Sequence, residues 1–149
     1  GLDALARQQV AKKAGDDYPA RIYVTFEYDS AKVGLFGKAK YETAKLIYGR
    51  YPPLGAINYI WESRAPVGTT VPNPFTDQVY MIVVESGSTK LNTWVTEERN
   101  VYEDYKRAFG EEPPPISGVA IMTDTDNTGE AAEAYYGDIR FKKQDPSSR

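Results

Sequence analysis

The stretch Arg21-Ile-Tyr-Val-Thr-Phe-Glu-Tyr28 decides the fold, because its side chains alternate between two faces along its whole length. A period of two residues is that of a β-strand with one face in the core and the other toward solvent. The core face carries Ile22, Val24, Phe26 and Tyr28. Half-buried strands of this kind are typical of antiparallel sheets, so the stretch predicts an antiparallel, β-rich fold.

Segments on the C-terminal side of this strand show related patterns. Apolar or alternating runs predict further strands at 56–62, 78–85, 92–99, 116–123 and 134–141. Two other segments predict short helices, one at 38–48 that ends at Gly49 and one at 101–109 between Asn100 and Gly110. The proline-rich segment 66–74 predicts a long loop.

The order of these elements argues against a parallel sheet, because strands and helices do not alternate strictly. The sequence predicts an all-β domain, an antiparallel β-sandwich of jelly-roll type with two short helical insertions. The alternative is an α+β sheet with its helices on one face. We expect a single domain over 1–149, with a frayed start at 1–14 and a disordered polar tail at 143–149.

The composition excludes several kinds of active site. The chain has no histidine and no cysteine, so a Ser-His-Asp triad, a Cys-His dyad and an ordinary catalytic zinc site are all excluded. No catalytic residue is assigned. A formal net charge of −3 predicts neither a nucleic acid nor an acidic membrane as partner. The absence of a run of about 20 apolar residues predicts no membrane-spanning helix.

The segment Asp124-Thr-Asp-Asn-Thr-Gly129 follows an apolar run and has three interpretations. Asp-x-Asp-x-Thr at a strand end is typical of haloacid-dehalogenase-type phosphatases, but few residues remain for the rest of that fold. The same spacing matches the first half of a calcium loop, although Tyr135 stands where that loop needs a glutamate. Asp124 and Asp126 are therefore candidate ligands of calcium, the one cofactor considered. In the third interpretation, both side chains bond their own backbone in a turn.

Aromatic residues suggest a binding surface, since the chain contains 12 Tyr, 5 Phe and 2 Trp. Tyr59, Trp61 and Trp94 stand on predicted strands, where their rings either stack on the apolar face of a sugar or pack in the core. These three residues are the candidate ligand-binding residues. The competing hypothesis is polysaccharide cleavage by two carboxyl groups, for which the candidates are Asp16, Asp17, Asp124, Asp126 and Glu97.

Several blocks of sequence together carry a family resemblance. They are Gly15-Asp-Asp-Tyr-Pro-Ala-Arg-Ile-Tyr-Val24, Leu54-Gly-Ala-Ile-Asn-Tyr-Ile-Trp61, Asn100-Val-Tyr-Glu-Asp-Tyr105 with Phe109-Gly110, and Ala120-Ile-Met-Thr-Asp-Thr-Asp-Asn-Thr-Gly129 with Tyr136-Gly-Asp-Ile-Arg-Phe141. They span most of 15–141 and resemble the bacterial family called domain of unknown function 3047. The resemblance implies a secreted or periplasmic bacterial protein, without an established activity. It also implies further strands before Gly1 in other members.

The closing block is also similar to the last strand of carbohydrate-binding sandwich modules, which is an analogy at the level of fold. Together with the aromatic strands, this similarity favours a non-catalytic, extracytoplasmic binding module with a glycan as its ligand. The alternatives are a polysaccharide-acting enzyme and a structural or interaction module of a cell-envelope assembly. The sequence makes no prediction of the oligomeric state.

Overall fold

The computed structural model describes residues 18–124 and 131–144. Its strands are β1 (Ala20–Phe26), β2 (Gly55–Glu62), β3 (Thr70–Asn73), β4 (Thr76–Ser86) and β5 (Ile116–Met122). Its helices are α1 (Leu35–Tyr48) and α2 (Val101–Phe109), and a single 3₁₀ turn covers Ser30–Lys32. A β-rich fold with two helices is therefore confirmed.

The five strands form one mixed sheet in the order β3-β4-β2-β1-β5. β1 pairs antiparallel with β2 and β5, and β3 pairs antiparallel with β4, whereas β2 and β4 run parallel. The prediction of antiparallel pairing throughout is wrong at β2 and β4. The described strands form one open sheet rather than the two facing sheets of a jelly roll. Alternation shows that one face of a strand is buried, but it does not show what covers that face. A helix or a loop can cover it instead of a second sheet.

Both faces of the central strands are buried, and each face has its own core. One core packs against α2 and contains Val24, Phe26, Ile57, Tyr59, Ile82 and Tyr105. The other lies on the opposite face and contains Tyr18, Ile60, Ala65, Val71, Met81 and Val83. Tyr59 and Ile60 are consecutive but belong to different cores, because neighbouring side chains on a strand point to opposite faces.

The helix ends follow the signals in the sequence. The Asn100 side chain accepts a hydrogen bond from the backbone N–H of Glu103 at 3.1 Å, and α2 ends before Gly110, whose φ is 74°. The predicted bounds of α2 are confirmed. Helix α1 also ends as predicted, before Gly49 with a φ of 75°, but it begins at Leu35 rather than at 38. Glycine takes this left-handed conformation without the steric cost that a Cβ brings.

Three local predictions are wrong. The segments 92–99 and 134–141 are not strands, and the predicted loop 66–74 contains the edge strand β3. The two extended segments contact each other instead, since a Cβ on Gly137 would lie 3.6 Å from Trp94. Alternation does not by itself supply an edge with which to pair, and most residues of 92–99 are exposed in spite of it. Pro72 is tolerated in β3 because an edge strand has one side without ladder hydrogen bonds.

Some predictions fall outside the described residues. These are the frayed start at 1–14, the carboxylates Asp16, Asp17 and Asp126, and most of the tail. Of the predicted tail, Lys143 and Gln144 are described, and Gln144 accepts a hydrogen bond from the Asn100 side chain at 3.3 Å.

Candidate functional site

An open cavity of about 430 Å³ lies beside α1, between the segment after β1 and the proline-rich link before β5. We call it the tyrosine cleft. Two tyrosine rings, three carboxylates and two prolines line it: Tyr28, Tyr51, Glu27, Asp29, Glu42, Pro114 and Pro115. Its walls come from four separate parts of the chain, which only the folded sheet brings together.

Tyr41 on the inner side of α1 fixes one wall of the tyrosine cleft. Its buried hydroxyl donates to the carbonyl oxygens of Pro53 and Leu54, at 3.1 and 3.3 Å. Its ring stacks on Tyr28 with centroids 4.1 Å apart and an angle of 15°. Tyr28 is thus held between α1 and the link to β2, so its orientation does not depend on a ligand.

Tyr51 completes the aromatic part of the tyrosine cleft. Its ring lies 4.6 Å from that of Tyr28, and its hydroxyl donates to Glu42 Oε1 at 2.7 Å. Lys45 covers the ring of Tyr51, with Nζ 4.5 Å from the centroid. This contact between a cation and an aromatic face further restrains the ring.

The tyrosine cleft has a negative local charge. Partial burial raises the pKa of Tyr28, and the neighbouring Glu42, Tyr51 and Asp29 raise it further. A tyrosine hydroxyl is protonated at neutral pH in any case, and the raised pKa keeps this one available as a hydrogen-bond donor in more alkaline solution as well. The carboxylates supply acceptors around it, so two aromatic rings line the cleft with both donors and acceptors at their edges.

A second polar cluster lies in the core beneath α2. The Tyr59 hydroxyl donates to Asp104 Oδ2 at 2.8 Å, and Arg99 donates to both oxygens of the same carboxylate, at 3.0 and 2.6 Å. Burial and the adjacent carboxylate raise the pKa of Tyr59. Asp104 is 3% exposed. Its hydrogen-bond partners compensate for the hydration that a buried carboxylate loses. This cluster joins α2 to β2, with Asp104 and Tyr59 buried and Arg99 partly exposed.

Glu97, one of the candidate carboxylates, lies beside Glu85 at the end of β4, and each carboxyl shifts the pKa of the other. Lys90 lies 2.6 Å from Glu85 and lowers the pKa of that carboxyl. Partial burial and the neighbouring Glu85 raise the pKa of Glu97. Two carboxyls with opposite shifts can act as an acid and a base, and this pair lies outside the tyrosine cleft.

Asp124 forms an ion pair across the sheet. Its Oδ2 lies 2.9 Å from Nη2 of Arg21, whose side chain is buried. The hydroxyl of Tyr136 lies beside this pair, accepting from the backbone N–H of Arg21 at 3.1 Å and donating to the carbonyl of Met122 at 2.7 Å. A calcium ion at Asp124 would compete with the guanidinium of Arg21. Within 18–124 and 131–144, no three acidic side chains come together as a metal site.

The candidate sugar-binding residues do not form one surface. Tyr59 lies in the core with its hydroxyl bound to Asp104, and Trp61 is half-buried with its indole N–H donating to the carbonyl of Gly87 at 2.9 Å. Trp94 alone is well exposed, at 73%. Tyr28 and Tyr51, which line the tyrosine cleft, are not among the binding residues that the sequence predicted. In the sequence Tyr51 is distinguished only by its position before Pro52. A single position shows no periodic pattern and therefore does not predict a binding residue.

The raised pKa of Tyr105 predicts that the folded protein loses stability at alkaline pH. Burial, followed by the charges of Glu111 and Asp29, raises its pKa to about 12, whereas the unfolded value is about 10. The folded state then keeps a proton that the unfolded chain releases, so stability is full below pH 10 and falls as the pH rises toward 12. Replacing Tyr105 with Phe should reduce this loss by about 1 to 2 kcal/mol.

Urea denaturation at pH 8 and at pH 11.5 measures this effect. The exposed Tyr48→Phe variant is the matched control and should show the wild-type loss. Equal losses in wild type and Tyr105→Phe would contradict the assignment to Tyr105.

The fold and the site define a class: a small β-rich domain with a mixed five-stranded sheet and an open cleft of tyrosine and carboxylate side chains. The chain belongs to the family described as Protein of unknown function (DUF3047), whose model matches residues 3–140. The resemblance of the sequence to this family is thus confirmed. No curated protein and no solved structure matches the chain. Among the described residues, no helix has the length and apolar character needed to cross a bilayer.

Proposed function

We propose that this domain is a non-catalytic binding module that holds a carbohydrate in the tyrosine cleft, at an extracytoplasmic location. One observation carries the proposal: two half-buried tyrosine rings and three carboxylates line the same open cavity. Sugar rings have an apolar face that packs on aromatic rings, and their hydroxyls pair with carboxylates. The family resemblance to secreted or periplasmic proteins supports the location.

The restraints on the two rings favour binding. Tyr28 is stacked on Tyr41, and Tyr51 is held by its hydrogen bond to Glu42. Rings that are already oriented lose little conformational entropy when a ligand arrives, so more of the contact energy appears as affinity. Pro114 and Pro115 add a stiff segment to the wall of the cleft.

A titration with oligosaccharides tests the proposal. Calorimetry with a panel of neutral, acidic and amino oligosaccharides should find at least one ligand with a millimolar or lower Kd. Tyr51→Ala should weaken that binding at least about tenfold, equivalent to about 1.4 kcal/mol. The exposed Tyr135→Ala, which lies outside the tyrosine cleft, is the control and should bind like wild type. Absence of binding across the panel at millimolar ligand would refute the proposal.

The second candidate is a polysaccharide-acting enzyme, and the paired carboxyls favour it. Glu85 and Glu97 are neighbours, and their pKa values are shifted in opposite directions. They lie outside the tyrosine cleft, which is why binding without catalysis is the leading proposal. Mass spectrometry of the same incubations separates the two, since shortened oligosaccharides that disappear with Glu97→Gln would establish cleavage.

A further inference from the structure

Helix α1 presents its apolar side to solvent. Phe36 is 92% exposed and Leu46 is 87% exposed, and Leu35 and Ile47 are also well exposed. On the inner side of the helix, Tyr41 is the buried residue. Amphipathic helices in small domains ordinarily turn their apolar side to the core, so this arrangement is reversed.

The exposed apolar side chains form one continuous stripe. Successive residues of an α-helix are rotated by about 100°, which places Leu35, Leu46, Ala39, Thr43, Phe36 and Ile47 next to one another around the helix. The stripe covers roughly a third of the circumference and runs from the first turn of α1 to the last. We call it the α1 stripe.

Charged side chains border the α1 stripe on both sides. By the same rotation Lys40 follows Ile47 at one border, whereas Glu42 stands next to Leu35 at the other border and Lys38 lies beyond it. Within the part of the chain that the structure describes, neither lysine forms an ion pair. The one acidic residue of α1, Glu42, accepts a hydrogen bond from Tyr51. Three lysines and one glutamate make α1 basic, although the whole chain has a net charge of −3.

We propose that the α1 stripe docks on an anionic lipid surface. The apolar side chains enter the boundary between headgroups and acyl chains, and Lys38 and Lys40 extend to the lipid phosphates. Fourteen residues give a helix about 21 Å long, which lies in the plane of the interface and does not span the membrane. Lys40 at one border and Lys38 beyond the other suit a flat anionic surface, because long lysine side chains on both flanks of the α1 stripe can reach it at once. The net charge of the whole chain does not indicate a basic helix, because it sums the acidic and basic residues of every segment.

Vesicle sedimentation tests the docking. We expect wild-type protein to pellet with vesicles of phosphatidylcholine containing about 30% phosphatidylglycerol at ~0.1 M salt, and to remain in solution with pure phosphatidylcholine. Leu46→Glu should reduce the bound fraction at least about tenfold. Leu91→Glu makes the same chemical change at another exposed leucine and should bind like wild type.

A charge-reversed variant tests the lysines separately. Lys38→Glu with Lys40→Glu should abolish the difference between anionic and neutral vesicles, while circular dichroism shows an unchanged fold. Three results would each overturn the proposal: no pelleting of wild type with anionic vesicles, equal pelleting with neutral ones, or a dimer in sedimentation velocity that Leu46→Glu dissociates without any lipid binding. The α1 stripe is a different surface from the tyrosine cleft, so failure of sugar binding leaves this result unaffected.

Discussion

Replacing Asp104 with Ala should lower the free energy of unfolding by about 3 kcal/mol. The carboxylate accepts from Tyr59 and from two nitrogens of Arg99, and it is almost completely buried. Its loss leaves the Tyr59 hydroxyl without its acceptor inside the core and removes the counter-charge of Arg99. Asp104→Asn should cost less, because the amide oxygen can still accept from Tyr59.

Asp138→Ala is the control for this measurement, since Asp138 also pairs with an arginine. Arg140 lies 2.7 Å from it, but both side chains are almost fully exposed. Exposed pairs contribute about 0 to 1 kcal/mol, so this variant should unfold near the wild-type denaturant midpoint. If Asp104→Ala and Asp138→Ala lost the same stability in guanidinium titrations, the buried cluster would not hold α2 on the sheet.

Replacing Gly55 with Ala should cost about 2 to 3 kcal/mol. A Cβ at this position would overlap the backbone carbonyl oxygen of Gln78, and the carbonyl carbon would lie 3.4 Å away. Backbone atoms in a paired strand cannot move aside as a flexible side chain can. The substitution therefore pushes β4 away from β2 where their parallel pairing begins, next to the Leu54 carbonyl that binds Tyr41.

Gly34→Ala provides the comparison, because nothing lies within 4 Å of the added methyl group. Its φ of −74° is accessible to alanine, so the loss of a good N-cap residue and the gain from a stiffer unfolded chain should nearly offset each other. We expect a change of about 0.5 kcal/mol or less by thermal and urea denaturation. A Gly55→Ala protein as stable as Gly34→Ala would show that β2 and β4 are not packed as closely as described.

The sequence predicted those features that local patterns specify. The alternation at 21–28 identified β1, and Asn100 and Gly110 bounded α2 because capping uses hydrogen bonds between residues close in the chain. The apolar run at 78–85 identified β4 as a strand covered on both faces, and Met81 and Ile82 do lie in the two different cores. The end of α1 before Gly49 follows from the freedom of glycine to adopt a positive φ.

Only the tertiary structure decided how these elements combine. The chain passes from β2 to β3 at the outer edge of the sheet and returns as β4 between these two strands, so β4 lies parallel to β2. No local pattern in the sequence specifies the position of a strand in the sheet. The same limit explains the wrong strands at 92–99 and 134–141, whose alternation is present in the sequence but which pair with no strand of the described sheet. The tyrosine cleft joins Tyr28, Glu42, Tyr51 and Pro114 from four segments. Periodicity reports which side of a segment is covered, whereas contacts between distant segments depend on the packing of the whole chain.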